Sequence, residues 1–368
     1  MAGNQNVSVQ PEVEREGLRI IHVTSAGKLI YGAVHSMLTL TNAQRSAGHD
    51  VSFVTFKGRP FTQELRHLGW TARDIRVRIK IDPLAILEMR KHFRAQKADI
   101  VHTHLSTSSV NGTLAARLAR VPCVSTVHGM SGKLSYVFAD HMIGVSQGVC
   151  DHLVQQGVAR DKVTAVYNGV QLPKNHLSKS ESREKFGIPS DALVIGTVAR
   201  LTAMKGLDFS LTAFQKIAQE VPHAHYVLVG DGDDRARYEQ MVKELGIADR
   251  VHFLGYQDPV FDPLAAMDLF LFPSLKEAMG IAVVEAMSLG MPVVSTNVGG
   301  LPEVIDASMG RLVNPSDADA LARECLNLIQ RGDLASLGLA ARVKAESMFS
   351  VEAMRLGTDA VYHELLSR

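Results

Sequence analysis

Cysteine is scarce in this chain of 368 residues, which holds 3, and aromatics are few at 6%, with 1 tryptophan. Cys123, Cys150 and Cys325 lie far apart without a Cys-x-x-Cys pair, so neither a disulfide framework nor a zinc cluster is indicated. A reducing cytoplasm suits them. No run approaches the ~18 consecutive apolar residues that a membrane-spanning helix needs. The first segment, MAGNQNVSVQPEVEREG, is polar and acidic where a signal peptide would be basic and then apolar, and residues 1–17 are expected to form a disordered tail. Solenoid repeats and low-complexity tracts are also missing. The formal net charge is only +1, which gives the chain as a whole no pull toward a polyanion, and no nucleic-acid partner is expected.

What is present is ordinary globular material. With 46% hydrophobic and 21% charged residues, the chain can fill two cores of roughly 150 to 200 residues each. The charge is unevenly divided. Residues 18–180 hold 21 Lys and Arg against 9 Asp and Glu, a net +12, whereas residues 181–368 hold 17 against 26, a net −9. Such opposition predicts that the first half faces something negative, a phospholipid surface or an anionic acceptor, while the second has another task.

Short apolar runs alternate with amphipathic stretches. LRIIHVTS, DVSFVTF, DIVHTH, PCVSTVHG and MIGVSQ read as buried strands, separated by helical patterns such as VHSMLTLTNAQRSAG and NGTLAARLAR. This rhythm predicts a parallel sheet with helices on both faces. It stalls between Val170 and Ala192, and a second series follows: LVIGTVAR, HAHYVLVGDG, RVHFLG, DLFLFPS and MPVVSTN as strands with helices between them. The expectation is an α/β chain of two doubly wound units, residues 18–172 and 187–350, with a final helix in 351–368 crossing back onto the first. In open sheets of this kind ligands sit beyond the carboxyl ends of the strands, so the chemistry belongs at strand ends facing a cleft.

Two stretches carry the sharpest signal. After the strand DLFLFP come Glu277, Gly280, Ile281, Ala282 and Glu285. Gly280 permits close approach of backbone to a ligand, and the helix opening at Ile281 and Ala282 would aim free amides and its positive dipole end at a diphosphate. Glu277 on the preceding loop is placed to hold a sugar, and Glu285, one turn into the helix, a ribose. Arg200 and Lys205 flank another strand end and can neutralise charge growing on a departing diphosphate.

The Glu-x7-Glu spacing of Glu277 and Glu285, the run EAMSLGMPVVSTNVGGLPEVI, and the pair Arg200 and Lys205 before Gly206 resemble retaining glycosyltransferases of the GT-B fold, family 4 in particular. The first half is similar more loosely. SAGKLIYGAVHSML resembles the family's Gly-rich turn near the donor phosphates, with Tyr31 where a second Gly is frequent, so that Gly32 supplies the close approach. His128, at the end of TVHG, matches a histidine beside the donor sugar and would donate a hydrogen bond to a hydroxyl or stabilise transition-state charge. The resemblance implies a metal-independent, retaining transfer of a hexose from a UDP- or GDP-sugar, which is a co-substrate, with no cofactor and no metal. Base contacts are expected from backbone near Gly230 and Gly255.

Three further signals are read conservatively. Asp231, Gly232 and Asp233 spell the DxD of metal-dependent transferases, but they follow a strand of the second series where the family carries a Gly-Asp-Gly turn. His102 and His104 share a strand face and are assigned to packing, because no Cys or carboxylate lies near in sequence to complete a metal set. The helix PLAILEMRKHFRAQK bears Arg90, Lys91, Arg94 and Lys97 beside Leu84, Leu87 and Phe93, which reads as a solvated helix face or, more sharply, as a membrane-surface contact favoured by the +12 charge of the first half. The expected acceptor is a cell-envelope glycan or lipid-linked intermediate, such as lipopolysaccharide core, used at the inner face of the cytoplasmic membrane. The alternatives are an epimerase of the nucleotide sugar or a non-catalytic sugar-nucleotide binder.

Overall fold

A computed structural model describes residues 17–27, 32–172 and 175–368. The expected tail therefore falls outside the described residues except for Gly17, and so does Tyr31 in the first strand–helix turn. The first sheet comprises β1 (Arg19–Thr24), β2 (Asp50–Phe56), β3 (Ala72–Ile75), β4 (Ile100–His104), β5 (Cys123–Val127), β6 (His141–Gly144) and β7 (Val163–Ala165). Its order is β3-β2-β1-β4-β5-β6-β7. The second comprises β8 (Leu193–Val198), β9 (Ala224–Val229), β10 (Val251–Gly255), β11 (Leu269–Phe272), β12 (Val293–Thr296) and β13 (Gly310–Val313), ordered β10-β9-β8-β11-β12-β13. All paired strands run parallel. In both sheets the first strand lies next to the fourth, so the order reverses there and opens a crevice at the carboxyl edge.

Helices cover both faces of the central strands, and every residue of β4, β5 and β11 is buried, including the polar His102, Thr103, His104, Ser125 and Thr126. One apolar cluster spans both units. Val127, Val145 and Val149 of the first pack in the same cluster as Met279, Leu301 and Val304 of the second. The helix Val351–Leu366 returns to the first unit, where Met354, Val361, Tyr362 and Leu365 join Ile20, Leu40, Ile100 and Val124. The connections between the units lie side by side: Val170 forms a parallel bridge with Ser350, and its amide donates to the Phe349 carbonyl at 2.8 Å. Between residues 170 and 192 lies a short helix, Lys179–Lys185, opened by a reciprocal Ser178–Glu181 cap and tied to the second unit by Arg183–Asp268 and Lys185–Asp262 ion pairs.

Phe93 is corrected from its membrane-facing assignment: it is fully buried in the core of the helix Pro83–Ala95. Arg90 and Arg94 are turned toward the last carbonyls of the neighbouring helix, at Leu118 and Ala119, where cations complement the negative helix end. Leu84 and Leu87 remain exposed. Among the described residues, no helix is long and apolar enough to cross a membrane.

Candidate active site

The loop from Glu277 to Gly280 is held from both units. It leaves β11 through Pro273, whose carbonyl faces Gly206: a Cβ on Gly206 would fall 2.1 Å from that oxygen, and φ at Gly206 is +65°. Only glycine permits this crossing, and it sets the 3-10 turn Ala203–Lys205 against the loop. The Leu275 amide then donates to the Met204 carbonyl at 3.0 Å. As a result Lys205 Nζ lies 2.5 Å from Glu277 Oε2, with both side chains largely shielded from solvent. The aromatic face of Phe272 lies below the ammonium, 5.2 Å from it.

From the first unit, the Ser146 hydroxyl donates to the Ala278 carbonyl at 2.6 Å, and Asn168 places its amide 3.1 Å from Met279 sulfur. Gly280 has φ +91° and precedes the helix Ile281–Ser288, whose N-terminus no side chain caps. Opposite stands Gly32, the first residue of the helix Gly32–Ser46; a Cβ there would lie 3.6 Å from Ile281 Cδ1. Gly32, Lys205, Glu277, Gly280 and Ile281 are thus brought together. Ala282 is half-buried in the first turn and contributes backbone only.

Glu285 is half-buried on the same helix, and among the described residues its carboxylate has no hydrogen-bond partner. Burial, with a smaller push from Asp258, raises its pKa to about 7. Such a carboxylate gains from a hydroxyl donor. Arg200 lies exposed two residues past β8, its carbonyl accepting from the Thr202 amide. The backbone of Asp231 and Gly232 braces this segment: the Leu201 amide donates to the Asp231 carbonyl at 3.0 Å, and a Cβ on Gly232 would fall 2.4 Å from the Leu201 carbonyl. The Gly230 amide bonds the Gly255 carbonyl at 2.7 Å, joining the two strand ends expected near the base.

His128 directly follows β5 on the facing unit. Two residues on, Met130 Cε lies 3.4 Å from the Cβ position of Gly299, which itself abuts the Glu277 carbonyl. His128 Nε2 is 3.1 Å from His104 Nδ1, while His128 Nδ1 is buried and, among the described residues, unpartnered. Burial lowers its pKa to about 4, so the ring is neutral at physiological pH. His104 and His102 are buried as expected, but β1 adds a third imidazole, His22, that the strand pattern did not flag. The three offer ring nitrogens within 4.8 Å of one another. All six of those nitrogens are occupied by hydrogen bonds, to one another, Gln44, Tyr362, Thr126 and His128.

Glu303 has a role that the sequence did not disclose. Its carboxylate accepts from the Gln147 and Gly148 amides at 2.6 and 2.7 Å, and from the Tyr167 hydroxyl at 2.9 Å. One acid of the second unit therefore caps the helix Gln147–Gln155 of the first. Its sequence neighbours, Pro302 and Val304, give no hint of a partner more than 130 residues away.

Two doubly wound units that clamp a glycine-hinged acidic loop against a lysine form a GT-B glycosyltransferase fold. Residues 178–346 match the family model described as glycosyl transferases group 1, and residues 30–173 that of glycosyltransferase family 4. The chain belongs to that family. It is 28% identical to an N-acetyl-alpha-D-glucosaminyl L-malate synthase of Bacillus anthracis, over 91% of this chain and 94% of the other. It is 30% identical to an Escherichia coli UDP-Gal:alpha-D-GlcNAc-diphosphoundecaprenol alpha-1,3-galactosyltransferase, over 68% of this chain and 76% of the other. The Anabaena protein Alr3699/HepE, solved in complex with UDP, superposes with a TM-score of 0.85 at 23% identity, covering 94% of this chain and 100% of that one.

Proposed function

We propose that the protein moves a hexose from a UDP- or GDP-sugar, with retention and without a metal ion, to a cell-envelope glycan or lipid-linked acceptor. The observation that carries this reading is the Lys205–Glu277 pair beside the uncapped helix opening at Ile281, with Gly32 opposite. A diphosphate seated at that opening would draw on the helix amides and the Lys205 charge, and Arg200 supplies a second cation on the same side of the unit. Glu277, released from Lys205 or sharing it, accepts from sugar hydroxyls, and Glu285 accepts from the ribose. The leaving diphosphate takes the acceptor proton in a front-face displacement while Glu277 and His128 orient the sugar.

Two relatives support the acceptor class: one is a UDP-Gal:alpha-D-GlcNAc-diphosphoundecaprenol alpha-1,3-galactosyltransferase, and another, from Staphylococcus aureus, is a capsular polysaccharide biosynthesis glycosyltransferase. Exposed Ile79, Ile81, Leu84 and Leu87 alternate with Arg76, Arg78, Lys80 and Lys91, which suits peripheral contact with an anionic membrane face. A thermal-shift panel of nucleotide sugars tests the donor site, since a ligand at 100 times its Kd stabilises by about 2.7 kcal/mol. Failure of every UDP- and GDP-sugar to raise the melting point would remove the proposal. Product analysis with the donor alone separates transfer from epimerisation.

A further inference from the structure

A continuous hydrogen-bonded chain runs from the C-terminal helix to His128. Gln44, buried on the helix Gly32–Ser46, places Nε2 3.2 Å from the Tyr362 hydroxyl and Oε1 2.9 Å from His22 Nε2. His22 Nδ1 lies 2.9 Å from His104 Nε2, and His104 Nδ1 lies 3.1 Å from His128 Nε2. On the other arm, the Tyr362 hydroxyl is 2.5 Å from His102 Nδ1, and His102 Nε2 is 2.6 Å from Thr126 Oγ1.

A neutral imidazole carries one N–H and one lone pair, so fixing one link of such a chain fixes them all. The Gln44 amide is the fixed end. Its N–H donates to Tyr362, which leaves its carbonyl to accept from His22 Nε2–H. His22 Nδ1 then accepts from His104 Nε2–H, and His104 Nδ1 accepts from His128 Nε2–H. His128 Nδ1 ends the chain as a bare lone pair. Reversal of every link would instead strand a buried N–H there, the costlier orphan. We propose that Gln44 and Tyr362, acting through His22 and His104, are positioning residues that hold His128 as its Nε2–H tautomer, so that Nδ1 accepts a hydrogen bond from a hydroxyl of the transferred sugar. The sugar-facing part rests on the function proposed above, whereas the tautomer does not. Burial keeps the relay neutral: the His22 and His128 pKa values fall to about 4, and those of His102 and His104 well below the usual imidazole value.

Nitrogen-15 NMR of the full chain labelled at histidine decides the matter. The expected result is a pyridine-type Nδ1 and a pyrrole-type Nε2 at His128 in the free protein; the reverse assignment, or a mixture, overturns the inference. Gln44→Leu removes the fixed end and should shift His128 toward a tautomer mixture, whereas Gln44→Glu, which keeps an acceptor toward His22, restores the single form. A merely structural role would lower the stability of both variants and leave the tautomer alone. Should Gln44→Leu fail to fold, the wild-type assignment still decides. UDP-glucose should shift the Nδ1 resonance where UDP does not; a bound UDP-glucose or GDP-hexose without that shift overturns the sugar contact. Absence of binding by either, with the tautomer as stated, would count against the donor reading and leave the relay standing.

Discussion

Lys205 Nζ meets the Glu277 carboxylate at 2.5 Å although 72 residues separate them in the chain. The pair exists because Gly206 lets one strand-end turn press against another. Each residue keeps the other's charge compensated, and under the proposed function each takes a separate task once a diphosphate sugar is bound. Lys205→Ala and Glu277→Ala should each lower turnover by at least about tenfold, from the loss of a preorganised electrostatic contact, with a folded circular-dichroism spectrum like that of wild type. Normal turnover in either variant would refute the roles given to this pair.

Gly206→Ala attacks the same pair through the backbone. The new methyl would collide with the Pro273 carbonyl at a positive φ, so a loss of about 2 kcal/mol or more in denaturant unfolding is expected. Nucleotide-sugar affinity should fall with it. An unchanged midpoint would show that the turn is not held as described.

Glu303→Ala leaves two helix amides and the Tyr167 hydroxyl without their shared acceptor. Hydrogen bonds to charged groups contribute about 1.5 to 3 kcal/mol each, and because Glu303 is only half-buried and water can replace part of them, the variant should lose on the order of 3 kcal/mol. Glu303→Gln, which retains one acceptor, should lose less. Equal stability of all three proteins in urea would contradict this cap.

Acidification should destabilise the fold between pH 6.5 and about 4. In the unfolded chain His22 and His128 take up protons below their ordinary value of 6.5, but in the folded protein only near 4, so the unfolded state binds more protons in that window. Glu285 acts in the opposite sense. Its pKa is raised to about 7, so its contribution is lost as pH climbs from 4.5 through 7. Four depressed imidazoles outweigh one raised carboxylate, and urea midpoints should drop on the acid side. Glu285→Gln should remove that opposing slope, so that stability falls more steeply as the pH drops from 7 to 4.5.

Much of the fold is legible in composition and rhythm, because central strands sealed on both faces are mostly apolar; LRIIHVTS, PCVSTVHG and DLFLFPS all become interior strands. The strands without a clear signal are β3, β7 and β13, each at a sheet edge and 3 or 4 residues long. An edge strand has one neighbour and partial exposure, so ARDI, VTA and GRLV need no unbroken apolar run. The second-unit side of the site is legible for a similar reason: Lys205, Gly206, Glu277, Gly280 and Glu285 sit within short spacings whose chemistry is local. The histidine relay and the Glu303 cap are not, because they join residues 22, 44, 104 and 362, or 147 and 303, and only folding brings these side chains together.

The returning helix Val351–Leu366 has a consequence for biosynthesis. The earlier half supplies Ile20, Leu40, Ile100 and Val124 to a cluster that stays incomplete until Met354, Val361 and Tyr362 are translated. On the ribosome this half must wait, its apolar flank uncovered, while the downstream half is free to mature first. A nascent chain stalled before Val351 should therefore show protease cleavage concentrated upstream of residue 170, and release of the remaining segment should abolish it.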